Sequence, residues 1–282
     1  MTKHRYPLGI ALLSASVLLT EIGLTRLVSV LYYPPLAFAI LALAVLGIGL
    51  GAALAALRAD LRTAELAPLY VAVGASSLLV ILLLATVALS STGFPLFLAF
   101  IIVPFACVGL ALAALFSQRP TQGPQLYMAD LLGAGAGALL SVWLFNWLGG
   151  INGLLCAATC MAGAGILVGR VSKLTHRSAN LQNVPRLMAA VATLCCLSLV
   201  VFNAMTGFLR IDMRGLPVSK PEREKLHSGG QLLRTHWDAF ARTDLIDPGG
   251  GAPYELYMDG AAGSVMPPVG GDRALLRDIG FF

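Results

Sequence analysis

Seven apolar segments, each about 20 residues long or longer, follow one another through residues 1–206 of this 282-residue chain. A helix rises 1.5 Å per residue, so about 20 apolar residues cross the roughly 30 Å hydrocarbon layer of a bilayer. The sequence therefore predicts an all-α polytopic membrane bundle of about seven transmembrane helices. The predicted spans lie near residues 7–31, 36–57, 68–90, 95–117, 126–148, 151–169 and 187–206.

The charged residues divide the chain into two parts. Only 12% of its residues are charged, whereas a soluble domain has about 25%. Residues 1–206 contain ten Lys/Arg and four Asp/Glu, and residues 207–282 contain nine and ten. We therefore predict a membrane domain at 1–206 and a soluble tail at 207–282. The net charge of +5 comes from the membrane domain, so it indicates membrane orientation and not nucleic-acid binding.

Basic residues between the spans are confined to one side. They lie in the N-terminal segment and in the loops after spans two, four and six: Lys3, Arg5, Arg58, Arg62, Arg119, Arg170, Lys173, Arg177 and Arg186. The opposite loops, near 32–35, 91–94 and 149–150, contain none. The positive-inside rule then predicts a cytoplasmic N-terminus. Seven spans would place the tail outside, but a re-entrant fifth or sixth segment would reverse this, so its side stays open.

Glycines recur four residues apart in the predicted helices, at Gly47/Gly51 and Gly133/Gly137. Small residues on one helical face let backbones approach closely in lipid, so these positions predict helix packing. The five cysteines lie inside apolar runs and the four histidines do not cluster. Neither a metal site nor a disulfide framework is therefore predicted.

Two ionisable residues interrupt the first span. Glu21 lies near its middle, where such a group costs at least about 2.5 kcal/mol on insertion scales and by default marks a functional position. Arg26 is about 140° further round the helix, so the two side chains do not pair well within it. Glu21 is predicted either to fix helix packing through a hydrogen bond or to serve proton or substrate movement. Arg26 can extend to the interface.

A polar stripe opens the fifth span. Its members share one helical face because they follow at steps of three or four: Tyr127, Asp130, Gly133, Gly137 and Ser141. Such a stripe either lines a substrate path or forms the seam of a bundle. For Asp130, about one turn inside the boundary, a hydrogen-bonded interfacial carboxylate is the simpler interpretation.

The tail contains the pattern of a β-hairpin. It predicts a strand near 234–246, a glycine-rich turn at 248–251 and a second strand near 253–259. An isolated hairpin is marginally stable, so it needs the membrane helices or another domain as a partner. Hairpin core, surface charge and turn geometry would account for its most distinctive residues: Trp237, Arg242, Asp244, Asp259 and Gly260.

Three stretches, in order, resemble the membrane-embedded spermidine synthase-like proteins of bacteria, in which several helices precede an aminopropyltransferase-type domain. LLSASVLLTEIGLTRLVSVLYYPPLAFAILALAVLGIGLGA (12–52) is similar to that family's opening helical hairpin. LYMADLLGAGAGALLSVWLFNWLGGINGLL (126–155) resembles its Tyr-x-x-Asp/Asn, glycine-rich helix. HWDAFARTDLI (236–246) and LYMDG (256–260) resemble its Trp-x-x-x-x-Arg-x-Asp strand and Asp-Gly turn.

The resemblance implies a membrane-anchoring region, in a bacterial inner (plasma) membrane, which is catalytically incomplete by itself. Family enzymes continue into a Rossmann-like fold whose glycine-rich loop binds an S-adenosylmethionine-type cofactor. Neither that loop nor the catalytic acid of the family matches any residue of this chain, including its last stretch GDRALLRDIGFF. No cofactor is therefore expected on this chain unless a Rossmann-like domain is supplied elsewhere. Expected partners are the lipid bilayer, a Rossmann-type synthase domain or chain, and a second copy of the chain. The alternatives are a small transporter of a polyamine or other solute that uses Glu21 and Asp130, or a structural scaffold.

Overall fold

A computed structural model describes residues 5–63, 65–87, 94–169, 179–216 and 218–266 of the chain. Four basic residues on which the predicted orientation depends lie outside the described residues: Lys3, Arg170, Lys173 and Arg177. The C-terminal stretch 267–282 also lies outside them. Within the described part, six helices are long and apolar enough to cross a membrane. The chain therefore has the helices of an integral membrane protein, followed by a small antiparallel sheet.

The helices follow most of the predicted spans closely. Helix α1 covers Arg5–Leu31, and α2 covers Ala37–Leu57 after a short 3-10 turn at Pro34–Leu36. Helices α3 and α4 cover Ala67–Val87 and Phe94–Ser117. Helix α5 covers Gly123–Val168 and contains both predicted spans 126–148 and 151–169, and α6 covers Ala179–Thr206.

Helix α5 is broken at Gly149, whose φ of 77° and ψ of 172° are far from helical values. We name the two halves α5a (123–148) and α5b (150–168). In α5a, Gly133 lies against the backbone of Ala11 and Gly137 against that of Ala15. Residue numbers therefore rise together along α5a and α1, so these two helices run in the same direction.

The second half, α5b, runs the opposite way along α1. Near the break, a Cβ atom built on Gly23 would lie 2.5 Å from Leu154, and at the far end one built on Gly9 would lie 2.6 Å from Val168. Residue numbers therefore fall along α1 as they rise along α5b. The two halves form a helical hairpin that folds around α1.

Helices α2 and α4 also pack with their backbones in contact. A Cβ atom on Gly47 would lie 2.9 Å from the carbonyl oxygen of Ile102, and one on Gly51 would lie 2.8 Å from the amide nitrogen of Leu110. Any side chain at these positions would force the helices apart, which explains the small residues there.

The tail folds as a short helix and a four-stranded antiparallel sheet with strand order β1-β2-β3-β4. Helix α7 covers Pro221–His227, and the strands cover Gln231–Trp237, Arg242–Asp247, Tyr254–Met258 and Ala262–Met266. The hairpin predicted around 248–251 is present between β2 and β3. Two further strands flank it, which gives a sheet more independent stability than a lone hairpin.

The prediction of a single strand over 234–246 is wrong, because a tight turn at 238–241 divides it. The Asp238 carboxylate accepts hydrogen bonds from the amides of Phe240 (2.6 Å) and Ala241 (2.7 Å). The amide of Asp238 also donates to the carbonyl of Ala241 (3.0 Å). An aspartate that bonds to the backbone two and three residues on competes with the strand ladder and closes a turn.

The sheet packs against one end of the helix bundle. In an antiparallel meander, the β1–β2 and β3–β4 turns lie at the same end, and the β2–β3 loop with Gly249, Gly250 and Gly251 lies at the other. Both turns of the first end contact membrane helices, at Arg26 and Ser29 of α1. The glycine-rich loop therefore points away from the bundle.

Candidate functional site

The most unusual group in the tail is the ammonium of Lys220, which is only 1% exposed. Its Nζ atom donates hydrogen bonds to the carbonyl oxygens of Ser29 (2.8 Å), Val30 (2.8 Å) and Asp259 (2.6 Å). The last carbonyls of a helix have no partner within it, and the negative end of the helix dipole favours a cation there. Lys220 therefore caps α1 and joins it to the sheet.

The Asp259–Gly260 turn forms the second half of this joint. The Asp259 carboxylate accepts hydrogen bonds from Ser29 Oγ (2.7 Å) and from the amide of Arg242 (2.9 Å). Both turn residues have positive φ, 49° and 72°, as a type I′ turn requires. A Cβ atom on Gly260 would lie 2.7 Å from the terminal methyl group of Met213, so a larger residue would have to displace that flexible side chain and also adopt the positive φ.

Arg242 and Asp244 form a buried ion pair beside this joint. Their side chains are 4% and 0% exposed, and Nε lies 2.7 Å from Oδ2. The guanidinium also donates to the carbonyl of Ile211 (3.1 Å), and Thr235 Oγ1 donates to Asp244 (2.5 Å). A buried pair with this many partners holds its surroundings in one arrangement, because separating either ion would leave the other unpaired.

Glu222 lies fully buried next to this pair. Its carboxyl oxygens make no well-formed hydrogen bond within the described residues. Burial raises the pKa of Glu222 to about 8, and the nearby Asp244 carboxylate raises it further than Arg242 lowers it. Burial also lowers the pKa of Lys220 to about 8, against the opposing effects of Asp259 and Glu222. Burial therefore favours the uncharged form of Glu222, whereas three carbonyl acceptors stabilise the ammonium form of Lys220.

Trp237 packs on the break in α5. A Cβ atom on Gly149 would lie 3.6 Å from its indole, and one on Gly150 would lie 2.6 Å from it. The Arg242 guanidinium lies 5.8 Å from the indole centroid. Paired glycines thus both break the helix and leave room for the aromatic ring of the sheet.

The β1–β2 turn makes a further contact with the bundle. Arg26 donates a hydrogen bond to the carbonyl of Phe240, and the amide of Ala239 donates to Asn146 Oδ1 (2.7 Å). Arg26 therefore binds the tail instead of simply extending into the interface. The five tail residues that carry the family resemblance all lie at this bundle–sheet junction: Trp237, Arg242, Asp244, Asp259 and Gly260.

The polar residues predicted within the membrane do not join this junction. Glu21 is half-buried, with no hydrogen bond or ion pair found for it among the described residues. Asp130 accepts a hydrogen bond from Ser14 of α1, in the seam between α1 and α5a. Tyr127 is 58% exposed and lies outside that seam.

Sequence reasoning missed several residues of the junction, among them Ser29, Asn146, Lys220 and Glu222. Asn146 is a polar residue in a predicted span and was a usable signal. Lys220 resembles any surface lysine in the sequence, because only the fold brings it to the end of a helix 190 residues away.

A cavity of about 410 Å³ adjoins the junction, between the α5 break, the end of α6 and strand β1. Its polar wall includes Asn152 and Asn203, which share a hydrogen bond of 2.7 Å. Among the residues the structure describes, no group of His, Cys, Asp or Glu is arranged to hold a metal ion.

Comparisons with protein-family models, with curated proteins and with solved structures found no match for this chain. The spermidine synthase-like resemblance therefore remains a hypothesis based on the residues quoted for it.

Proposed function

We propose that this chain is the membrane-anchoring region of a spermidine synthase-like protein, and that its junction holds the soluble part in a fixed position on the bundle. The observation that carries this proposal is the buried Lys220, which bonds the end of α1 and the Asp259 turn at once. An anchor connected by a flexible linker would need no such buried cation. The residues of the family resemblance then act as structural contacts of the junction.

Three separate contacts support a rigid arrangement. The first is the Lys220 joint, the second is the β1–β2 turn held by Arg26 and Asn146, and the third is the Trp237 indole on the glycines of the α5 break. Contacts to two different helices, α1 and α5, restrain both the position and the tilt of the sheet. A domain attached to the sheet would therefore have a defined orientation toward the membrane.

We further infer that α5a and α5b cross the membrane separately, which makes seven crossings. A continuous helix of 46 residues would be about 69 Å long, more than twice the hydrocarbon thickness of roughly 30 Å. The opposite directions of the two halves along α1 support the same count. The α1 end, the α5 break and the sheet then share the side opposite Arg58 and Arg119, which is the extracytoplasmic side of a bacterial plasma membrane.

That orientation bears on the chemistry of the anchored part. S-adenosylmethionine is a cytoplasmic cofactor, so a domain on the extracytoplasmic side would not reach it. We therefore propose anchoring, without transferase activity, for this chain. A fusion of alkaline phosphatase after Phe282 tests the side, because that enzyme is active only outside the cytoplasm. An inactive phosphatase together with a fluorescent cytoplasmic fusion would contradict the proposed orientation.

The rigid junction can be tested by distance measurement between two spin labels. Phe38→Cys at the start of α2 and Ala252→Cys in the β2–β3 loop are both exposed positions, to be labelled in a background without native cysteines. In nanodiscs we expect one narrow distance distribution. A broad distribution in the otherwise unaltered chain would show a flexible connection and contradict rigid anchoring.

The synthase-like identity needs its own test. The chain should be purified from its native membranes with any polypeptide that accompanies it, and assayed for aminopropyl transfer from decarboxylated S-adenosylmethionine to putrescine. Activity that depends on an accompanying Rossmann-type chain would support the identity. Transfer by this chain alone would contradict its proposed incompleteness.

A transport function is the second candidate, and Glu21 favours it. A carboxyl group in the middle of a membrane helix is costly unless it has a structural or functional role, and no hydrogen bond or ion pair of Glu21 is found within the described part of the chain. The test is uptake of labelled spermidine into proteoliposomes by the unaltered chain, Glu21→Gln and Asp130→Asn. Equal flux in all three would eliminate the transport role of these carboxylates.

A further inference from the structure

The tip of the β1–β2 turn presents a large apolar side chain to the outside. Phe240 is 71% exposed, although the turn around it is held firmly by Asp238. Its backbone carbonyl is bound by Arg26, and the neighbouring Ala239 amide is bound by Asn146. The exposure of the phenyl ring is therefore a feature of an ordered turn.

The turn lies beside the last turns of the membrane helices. Arg26 is five residues before the end of α1 at Leu31, which is about 7.5 Å along the helix axis. Asn146 lies three residues before the break at Gly149. A turn that bonds to both residues lies at the depth of the helix ends, where the headgroups of a bilayer begin.

The membrane helix next to this turn is also aromatic on its outer surface. Trp143 and Trp147 are 65% and 79% exposed, their ring centroids are 6.0 Å apart, and they lie on the same helix as Asn146. A second exposed aromatic pair, Phe202 and Phe208, lies at the end of α6. Aromatic side chains, tryptophan above all, concentrate at the interface between hydrocarbon and water.

We propose that the Asp238–Ala241 turn enters the headgroup layer of the bilayer and that Phe240 contacts lipid together with Trp143 and Trp147. We assign lipid as the occupant because the turn is bonded to Arg26 and Asn146 near the ends of two membrane helices, and Trp143 and Trp147 are exposed on the same helix as Asn146. The soluble sheet would then be held by two partners at once, the bundle through hydrogen bonds and the membrane through Phe240. The inference rests on the proposed docking of the sheet and adds a lipid contact to it.

Spin-label accessibility in nanodiscs of phosphatidylcholine and phosphatidylglycerol tests this contact. A nitroxide at Phe240→Cys should collide more with oxygen, which concentrates in lipid, than with a water-soluble nickel complex. The matched control is Ala252→Cys in the β2–β3 loop, at the opposite end of the same sheet, which should show the reverse preference. Trp147→Cys provides the lipid-exposed reference.

A label that behaves at Phe240 as it does at Ala252 would overturn the proposal. Protection from both collision partners would also overturn it, because a second copy or another protein would then cover the turn. Docking is measured separately in each labelled protein by slow exchange of the Ala239 amide, which is bonded to Asn146. Loss of the lipid signal with Ala239 still protected would thus refute the lipid contact and leave anchoring intact.

A less disruptive replacement provides a second measurement. A photoreactive benzoylphenylalanine in place of Phe240 keeps an aromatic ring at the tip and should form adducts with lipid acyl chains on illumination. Mass spectrometry identifies the product in each case. Chain-to-chain products or adducts with another protein, in place of lipid adducts, would overturn the proposal.

Discussion

Replacing Lys220 by methionine should release the sheet from the end of α1. The variant keeps most of the aliphatic side chain and removes the ammonium that donates to Ser29, Val30 and Asp259. Three carbonyl oxygens then lose a charged donor at a site that is almost closed to water. The effect should therefore appear at the junction and leave the helix bundle itself unchanged.

The magnitude follows from two opposing effects. Hydrogen bonds to a charged group contribute about 1.5–3 kcal/mol each, so three of them together contribute roughly 4.5–9 kcal/mol. The lowering of the lysine pKa from 10.5 to about 8, of which burial is the largest cause, opposes this by roughly 3 kcal/mol. The unpaired carbonyls left by the substitution add a further cost. We expect a net loss of about 3 kcal/mol, within the range for breaking a buried ionic contact.

Amide exchange at pH 7 in nanodiscs measures this loss. The Ala239 amide is protected by Asn146 only while the sheet is docked, so about 3 kcal/mol should speed its exchange roughly a hundredfold. The matched control is Lys225→Met on the same helix α7, where a partly exposed pair with Glu255 at 2.8 Å is removed. Such surface pairs contribute about 0–1 kcal/mol, so exchange should rise less than about fivefold. Equal effects of the two variants would refute the structural role assigned to Lys220.

Three further predictions concern the seam, the buried acid and the tight turn. Gly137→Ala should lower the melting temperature in detergent and destabilise the bundle by about 1–3 kcal/mol, because the added methyl group meets the backbone of α1. Gly135 on the same helix faces open space, so Gly135→Ala should change the melting temperature little. Equal effects of the two variants would contradict the packing of α5a on α1. The pKa of Glu222 is raised to about 8 in the folded protein. The stabilisation of the folded tail by protonated Glu222 is therefore complete below about pH 4.5 and is lost as pH rises to 8, by up to about 1.4 kcal/mol per pH unit. Exchange of the junction amides should show this pH dependence, and Glu222→Gln should flatten it. Gly260 has a positive φ and lies close to Met213, so Gly260→Ala should destabilise the junction by about 1–3 kcal/mol. Gly215 faces open space, so Gly215→Ala is the control. The same exchange assay compares the two variants, and similar protection in both would contradict the requirement for glycine at position 260.

Local sequence determines the membrane helices because their signal is contained in each segment. A run such as 95–117 is apolar over about 20 residues whatever it packs against, and α4 occupies Phe94–Ser117. The tight turn before α2 also follows from the consecutive prolines Pro34 and Pro35. The β2–β3 hairpin was predictable for a similar reason, since Gly249–Gly251 permit a turn that few other residues allow.

The turn at 238–241 could in part have been predicted from Asp238, but the sequence analysis missed it. The stretch 234–246 alternates well enough for one strand, yet the Asp238 side chain bonds to the backbone and closes a turn inside it. The strand pattern of this stretch and the turn-forming hydrogen bonds of Asp238 compete there. Pairing of β1 with β2 in the folded sheet favours the turn.

Only the tertiary structure decided which groups the buried Lys220 would bind. Lys220 and Val30 are 190 positions apart, and neither residue type carries a local signal of that contact. The direction of α5b along α1 likewise depends on the backbone at Gly149 and on the helices packed around it. The hydropathy of each residue can be read directly from the sequence. A buried hydrogen bond between distant residues forms only when the folded chain brings its donor and its acceptor together.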